Sequence, residues 1–397
     1  MTIQGKKQWE FTSFPETFLI TSFSMSIGMI YPNPATDKWR LLAIPFALLS
    51  VSPVSVFISI EMLKLWNNGE ILELMRHTAM FLPFFAGFMK MCLMYYRRVE
   101  AKKIIDIINH DYAYYNNLPD DYKAMVAASI KSSHIYINIW AACVMVIFAV
   151  FVGTASLLNI VSHLFMQEPK RYMIYDINMP GRDPEERFNS PYFEIMYFYT
   201  IYVALMYVLS FTGYDGLMIA SVNHACLRQN IFTRQVQEAM GLRGERLRRK
   251  MAAAVKDQVE ALRLIDYVQT TFNIYLGYMY VIVLVEMVIC IYLTNEDYNF
   301  DFQYTCLSFG TILHIYVPCM IADKLKCTCE DTAVRLYCCG WENMYDLRVR
   351  RCLPFMIARA QCPVTLKAFG LLTYEMDLFV GTMKSAYSMY TLLKTQQ

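Results

Sequence analysis

No P-loop, metalloprotease helix or nucleophile elbow occurs in this chain, so no motif in it supports an enzyme. Zinc-finger spacing and basic–aromatic patterning are absent too, and a net charge of +2 leaves no electrostatic footprint for nucleic acid. The first twenty residues show no short apolar core followed by a small-residue cleavage site. No signal peptide is therefore expected, and the first apolar span would serve as the insertion signal. There is no internal repeat and no low-complexity run. Their absence, with that of paired Gly/Pro-broken spans, weighs against a transporter built from two related halves.

What the chain does have is apolar surface. Its 397 residues are 56% hydrophobic and 15% aromatic, too apolar for an ordinary soluble protein. Seven stretches read as membrane spans: 40–63, 76–95, 132–159, 192–223, 272–293, 302–323 and 364–393. Each suits a hydrocarbon core of about 30 Å crossed at about 1.5 Å per residue. Counting Arg40 and Arg76 at the span edges, the N-terminal arm and the second, fourth and sixth connections together carry 26 Lys and Arg, whereas the other connections and the tail carry seven. The positive-inside bias places the N-terminus in the cytoplasm and, after seven crossings, the C-terminus outside. The expected class is an all-α membrane protein of seven transmembrane helices with a helical cytoplasmic base. Its expected parts are an arm (1–39), a six-span bundle (40–363), and a seventh helix with a short outer tail (364–397).

A seven-helix G-protein-coupled receptor is the first alternative. It has the opposite orientation, and this chain has neither its Asp-Arg-Tyr nor its Asn-Pro-x-x-Tyr signature, nor a cysteine in the longest outer connection. None of the twelve cysteines lies in a predicted outer connection, and six crowd into the sixth, cytoplasmic one, where thiols stay reduced. Their C-x-C and C-C spacings do not match paired zinc knuckles, so no metal and no cofactor is expected.

The connections differ in kind. The stretch Phe18 to Tyr31 is apolar but too short to cross, and it should lie at the interface or pack under the bundle. Residues 96–131 read as a cytoplasmic extension of the second span, with Ile104, Ile105 and Ile108 at helical spacing. The third connection (160–191) carries Pro169, Pro180, Gly181, Pro184 and Pro191, so it should be irregular and able to cap whatever opens outward. Lys90, Asp215, Glu286 and His314 are polar groups inside apolar spans and functional candidates by default. Lys90 and Asp215 lie toward the cytoplasmic ends, where snorkelling would suffice, and His314 reads as a packing histidine.

The last span is chemically distinct. Asp377, Gly381, Lys384, Ser385, Ser388, Leu392 and Gln396 fall on one helical stripe, opposite Phe379, Met383, Ala386, Tyr390 and Leu393. A charge near the bilayer centre costs about 2.5–3.5 kcal/mol on insertion scales, so the stripe must face protein or water. Buried hydrogen bonding to other helices and a water-filled pore both satisfy that requirement.

The run Phe379-Val380-Gly381-Thr382-Met383-Lys384-Ser385-Ala386-Tyr387-Ser388-Met389-Tyr390-Thr391-Leu392-Leu393-Lys394 resembles the C-terminal signature of insect odorant receptors. Leu336-Tyr337-Cys338-Cys339-Gly340-Trp341 resembles that family's tyrosine-to-tryptophan motif, and Gly28 to Pro32 its N-terminal glycine-to-proline turn. The likeness extends to length, span count and orientation. The gustatory ending T-Y-x5-Q-F is absent, and the fourth connection is too short for the family's co-receptor.

The resemblance implies a ligand-tuned subunit of an odorant-gated, non-selective cation channel in the plasma membrane of a sensory neuron dendrite. It would form a heterotetramer with co-receptor subunits, bind a small volatile odorant and contact membrane lipid, with no nucleic acid partner. By the same resemblance, the last helices line one pore, Leu392 forms a hydrophobic gate and Gln396 lies just beyond. Four Lys384 side chains around one axis would repel cations, whereas one among co-receptor helices would be tolerable; pairing with Asp377 or Glu375 at a subunit boundary is the other reading. The implied odorant site lies in the outer halves of the second, third, fourth and sixth spans. Its candidates are Phe81, Phe84, Phe85, Phe148, Phe151, Ala155, Met196, Tyr199, Thr200, Val203, Tyr304 and Ser308. Tyr199, Thr200, Tyr304 and Ser308 would supply hydrogen bonds, and the others shape.

Overall fold

Long apolar runs become long helices because a backbone in lipid must satisfy its own hydrogen bonds. The computed structural model describes residues 9–32, 37–175, 177–178, 184–296, 302–362 and 364–395. In order come α1 (Phe14–Thr17), α2 (Leu19–Ile27), α3 (Asp37–Asn68), α4 (Ile71–Tyr96), α5 (Arg98–Tyr115) and α6 (Asp120–Phe165). These are followed by α7 (Tyr192–Met240), α8 (Gly244–Glu296), α9 (Phe302–Tyr337), α10 (Leu347–Ala360), a two-stranded hairpin, and α11 (Met376–Thr395). The protein is an all-α membrane protein. Among the described residues six helices, α3, α4 and α6 to α9, are long and apolar enough to cross a bilayer. The 20-residue α11 is more polar, but at about 1.5 Å per residue it is about 30 Å long.

Helices α6, α7 and α8, of 46, 49 and 53 residues, reach about 69–80 Å and so must project beyond a bilayer. The projecting parts form a second apolar core. Phe232, Val236 and Ala239 of α7 pack there with Leu247, Met251 and Ala254 of α8, Leu336 of α9 and Val349, Leu353, Met356 and Ile357 of α10. Asp346 caps α10, accepting from the backbone N–H groups of Arg348 and Val349. This is the helical base.

Helix α7 runs through the centre, and residues Thr212 to Leu227 are buried on every side. Two glycines let α2 lie directly on it. A Cβ at Gly216 would stand 2.3 Å from the Thr21 hydroxyl, and one at Gly213 would stand 2.8 Å from Met25. The arm is also tied to α5 and its C-cap, where the Asn109 and Asn116 side chains accept from the Phe14 and Phe11 N–H groups at 2.6 and 2.8 Å. The apolar N-terminal stretch therefore packs on the bundle through one face, while Leu19, Ile20, Phe23 and Ile27 remain exposed on the other.

Two sequence expectations need correction. Residues 96–131 do not prolong the second span: helix α4 stops at Tyr96, Arg97 leaves helical geometry, and α5 is a separate helix. Its Ala101, Ile104, Ile105 and Ile108 are buried, and it packs chiefly on α8, an apolar stripe being stable only against a partner. The last helix begins at Met376, not at 364. Strand β1 (Lys367–Ala368) pairs antiparallel with β2 (Leu372–Thr373), turning through Phe369 and Gly370 at φ 51° and 72°. This hairpin grips α8. Gln269 exchanges two 2.8 Å hydrogen bonds with the Lys367 backbone, Asn273 Oδ1 accepts from Gly370 N–H at 2.9 Å, and the Tyr374 hydroxyl donates to the Leu276 carbonyl at 2.8 Å.

Candidate functional site

In the half of the bundle away from the base, α4, α6, α7, α8 and α9 line a cavity of about 150 Å³. Aromatic and aliphatic side chains predominate on its wall: Phe84, Trp140, Phe148, Phe151, Tyr207 and Phe211, with Met80, Val144, Ile147, Val208, Met279 and Leu307. Small residues make the room. Ala204 and Gly310 belong to the wall, and a Cβ on Gly310 would stand 2.3 Å from the Ile147 side chain. At Gly87, beside the wall, the Tyr207 ring comes within 2.1 Å of where a Cβ would be. Ile174 and Tyr175, from the segment that joins α6 to α7, also line the cavity.

Besides the polar atoms of its Trp and Tyr side chains, the wall carries Thr200, Thr311, Glu286 and His314. The threonine hydroxyls are occupied within their own helices, donating to the Met196 and Leu307 carbonyls at 2.8 and 3.0 Å. Glu286 is buried at 5% exposure, and no cation pairs with it among the described residues. His314 forms the floor, stacked on Trp140 with ring centroids 4.8 Å apart and 24° between planes.

Beneath the floor is a buried ionic cluster. Lys90 Nζ donates to Asp215 at 2.6 Å, and the two side chains are 0% and 5% exposed. Tyr275 donates to the other Asp215 oxygen at 2.5 Å, and His314 Nε2 stands 3.2 Å from Lys90 and 3.5 Å from Asp215. The Lys90 ammonium also lies 3.7 Å above the Phe211 ring centroid. Neither Lys90 nor Asp215 snorkels to water, because each satisfies the other inside the bundle.

Of the twelve sequence candidates, the cavity brings together Phe84, Phe148, Phe151 and Thr200. Phe85 is 39% exposed on the outside of the bundle, and Phe81 stacks against it. Ala155, Met196 and Val203 are buried in helix packing. Tyr199 donates to the Ser50 carbonyl of α3 at 2.6 Å, Tyr304 packs in a cluster with Leu293 and Tyr390, and Ser308 lies beside Cys290. Trp140 and Phe211 are absent from the sequence candidates because the cavity extends deeper than the outer halves of the spans. Glu286 and His314 did carry a signal, that of a polar residue within an apolar run.

Helix α11 presents Asp377, Gly381, Lys384, Ser385, Ser388 and Leu392 outward, all exposed in the single chain. Gln396 lies outside the described residues. Ala386 and Tyr390 face inward and buried, and Phe379 makes a T-shaped contact with Tyr316 of α9 at 5.4 Å. Glu375 is taken by Lys326 at 2.7 Å, and among the described residues Lys384 has no ion-pair partner.

A family model described as 7tm Odorant receptor matches residues 70–387. Odorant receptor 30a of Drosophila melanogaster is 22% identical over 233 residues, covering 57% of this chain and 60% of that protein. Odorant receptor 82a of the same organism is 25% identical over 226 residues, covering 55% and 58%. The chain thus matches about three fifths of the length of each relative. Among solved structures, the insect olfactory receptor OR5 from Machilis hrabei in complex with eugenol has the same fold. The TM-score is 0.76 at 13% identity, over 96% of this chain and 100% of that one. The structure of that receptor without a named ligand gives 0.72 over 95% and 99%.

Proposed function

We propose, on the footing that this chain belongs to the 7tm odorant receptor family, that it is the odorant-binding subunit of a ligand-gated, non-selective cation channel. Its N-terminus and helical base face the cytoplasm of the sensory dendrite, its seven spans cross the plasma membrane, and it assembles with co-receptor subunits. The observation that carries this reading is the mostly apolar cavity of about 150 Å³ between the helices. A cavity of that order accommodates a molecule of single-ring size, and burial of apolar ligand surface provides the affinity. That description fits a small volatile.

The exposed polar stripe of α11 supports the channel half of the reading. A face bearing Asp377, Lys384, Ser385 and Ser388 is unsuited to lipid and suits water, while the opposite face is already packed within its own subunit. One Lys384 among partner helices leaves cations a path, which favours a mixed assembly. Helix α8 touches both ends of the problem: Met279 and Glu286 line the cavity, and Asn273 and Leu276 hold the hairpin that leads into α11. Gating follows when the ligand is bound better in one arrangement of α8 than in the other.

The test is to fill the cavity. Ala204→Phe, co-expressed with the co-receptor, is expected to raise the half-maximal odorant concentration by about 100-fold or more, as the ring would occupy the ligand's volume. Surface labelling should remain near wild type. Unchanged odorant sensitivity would move the ligand out of this cavity.

A further inference from the structure

Two polar groups of residues on the cavity wall have no hydrogen-bond partner among the described residues: the Trp140 indole N–H and the Tyr207 hydroxyl. The hydroxyl lies beside Ser55 of α3, which is not part of the wall. Trp140 is 4% exposed and lines the cavity, and its indole N–H finds no acceptor. Both threonine hydroxyls of the wall bond within their helices, and Lys90, beneath the floor, is held by Asp215. A buried donor left unmade is destabilising until something accepts from it. Stacking on His314 fixes the plane of the indole, so the N–H is oriented before any ligand arrives.

We propose that Trp140 sets the chemical class of ligand, its N–H donating to an oxygen acceptor on the bound molecule. The cavity then selects small ketones, aldehydes or esters over hydrocarbons of the same shape. This deepens the odorant-site reading and rests on it. Carboxylate ligands are disfavoured, because the one ammonium near the floor is already paired and the wall carries Glu286. A cavity that selected amines would use Glu286 in place of Trp140, which makes an amine the informative rival.

The experiment measures the melting midpoint of the purified full-length chain against rising concentrations of acetophenone, ethylbenzene and 1-phenylethylamine, three molecules of nearly one shape. The ketone is expected to half-saturate at about five- to ten-fold lower concentration than the hydrocarbon, the range of a single net hydrogen bond. Trp140→Phe keeps a ring against His314 and should bring ketone and hydrocarbon within about two-fold by weakening the ketone alone. A wild-type protein with no preference for the ketone, or with the amine bound best, overturns the proposal. So does a preference that survives in Trp140→Phe. The wild-type comparison stands even if that variant fails to fold. Ligand-induced shifts that persist undiminished in Ala204→Phe would show instead that the cavity is not the binding site, a separate failure.

Discussion

Replacing Asp215 with alanine is expected to remove about 3–5 kcal/mol of stability and most of the protein from the cell surface. The reason is not the loss of a favourable pair as such. Lys90 is 0% exposed, and its ammonium would be left among Phe211, Tyr275 and His314 with no anion. Tyr275 would lose its acceptor as well. Neutralising both partners should cost far less, because a buried pair exchanged for apolar groups is often close to neutral. Lys90→Met with Asp215→Asn keeps an acceptor for Tyr275 and removes both charges. Melting of the solubilised proteins separates the two cases. If the double variant is as unstable as Asp215→Ala, the stranded Lys90 charge is not the source of the damage.

The second large effect lies in the arm-side packing of α5. Asp111 accepts from Arg228 in a bidentate pair at 2.5 and 2.6 Å and lies 2.7 Å from His224 Nε2, at 4% exposure. Burial alone would push this carboxyl up, but the hydrogen bonds and charges of His224 and Arg228 outweigh it and hold it at about 2. Asp111→Ala is expected to cost about 3–5 kcal/mol near neutral pH, since it leaves Arg228 half-buried and unpaired. The folded-state value lies below the ordinary carboxylate value, so the carboxylate's contribution, about 2–3 kcal/mol, is fully present above about pH 4. It fades as pH falls toward 2. The gap between wild type and Asp111→Ala should therefore be constant from pH 8 to about 5 and narrow below pH 4. A gap that widens on acidification would mean the carboxyl is not held in its charged form.

Much of this architecture was legible because membranes make sequence speak in lengths and charges. The spans follow from 20-residue apolar runs, and the stripe on α11 follows from helical periodicity, which asks nothing of other helices. The break at Arg97 carried no proline or glycine, so α5 read as a continuation of α4. The hairpin was hidden for the converse reason. Leu366, Ala368, Leu371 and Leu372 prolong an apolar run, and only the turn at Gly370 marked the end of it.

The cavity was the hardest feature to find. Phe81, Phe84 and Phe85 look alike in sequence, but helix rotation sends Phe84 inward and Phe85 out, and that rotation is set by Tyr207 seated on Gly87. Intramembrane charges pointed to the right region and the wrong chemistry. Lys90 and Asp215 lie on different helices 125 residues apart, and their pairing is a property of packing.

The central claim is that the exposed stripe of α11 meets water in the assembled channel. Cysteine substitution along α11, in complexes with the co-receptor and against the background of native thiols, tests it with a charged, membrane-impermeant thiol reagent. Modification at Gly381, Lys384, Ser385 and Ser388 is expected to change odorant-evoked current, while Phe379, Met383, Ala386 and Tyr390 stay inert. Reaction confined to the second set, or to neither, would contradict a pore lined by this helix.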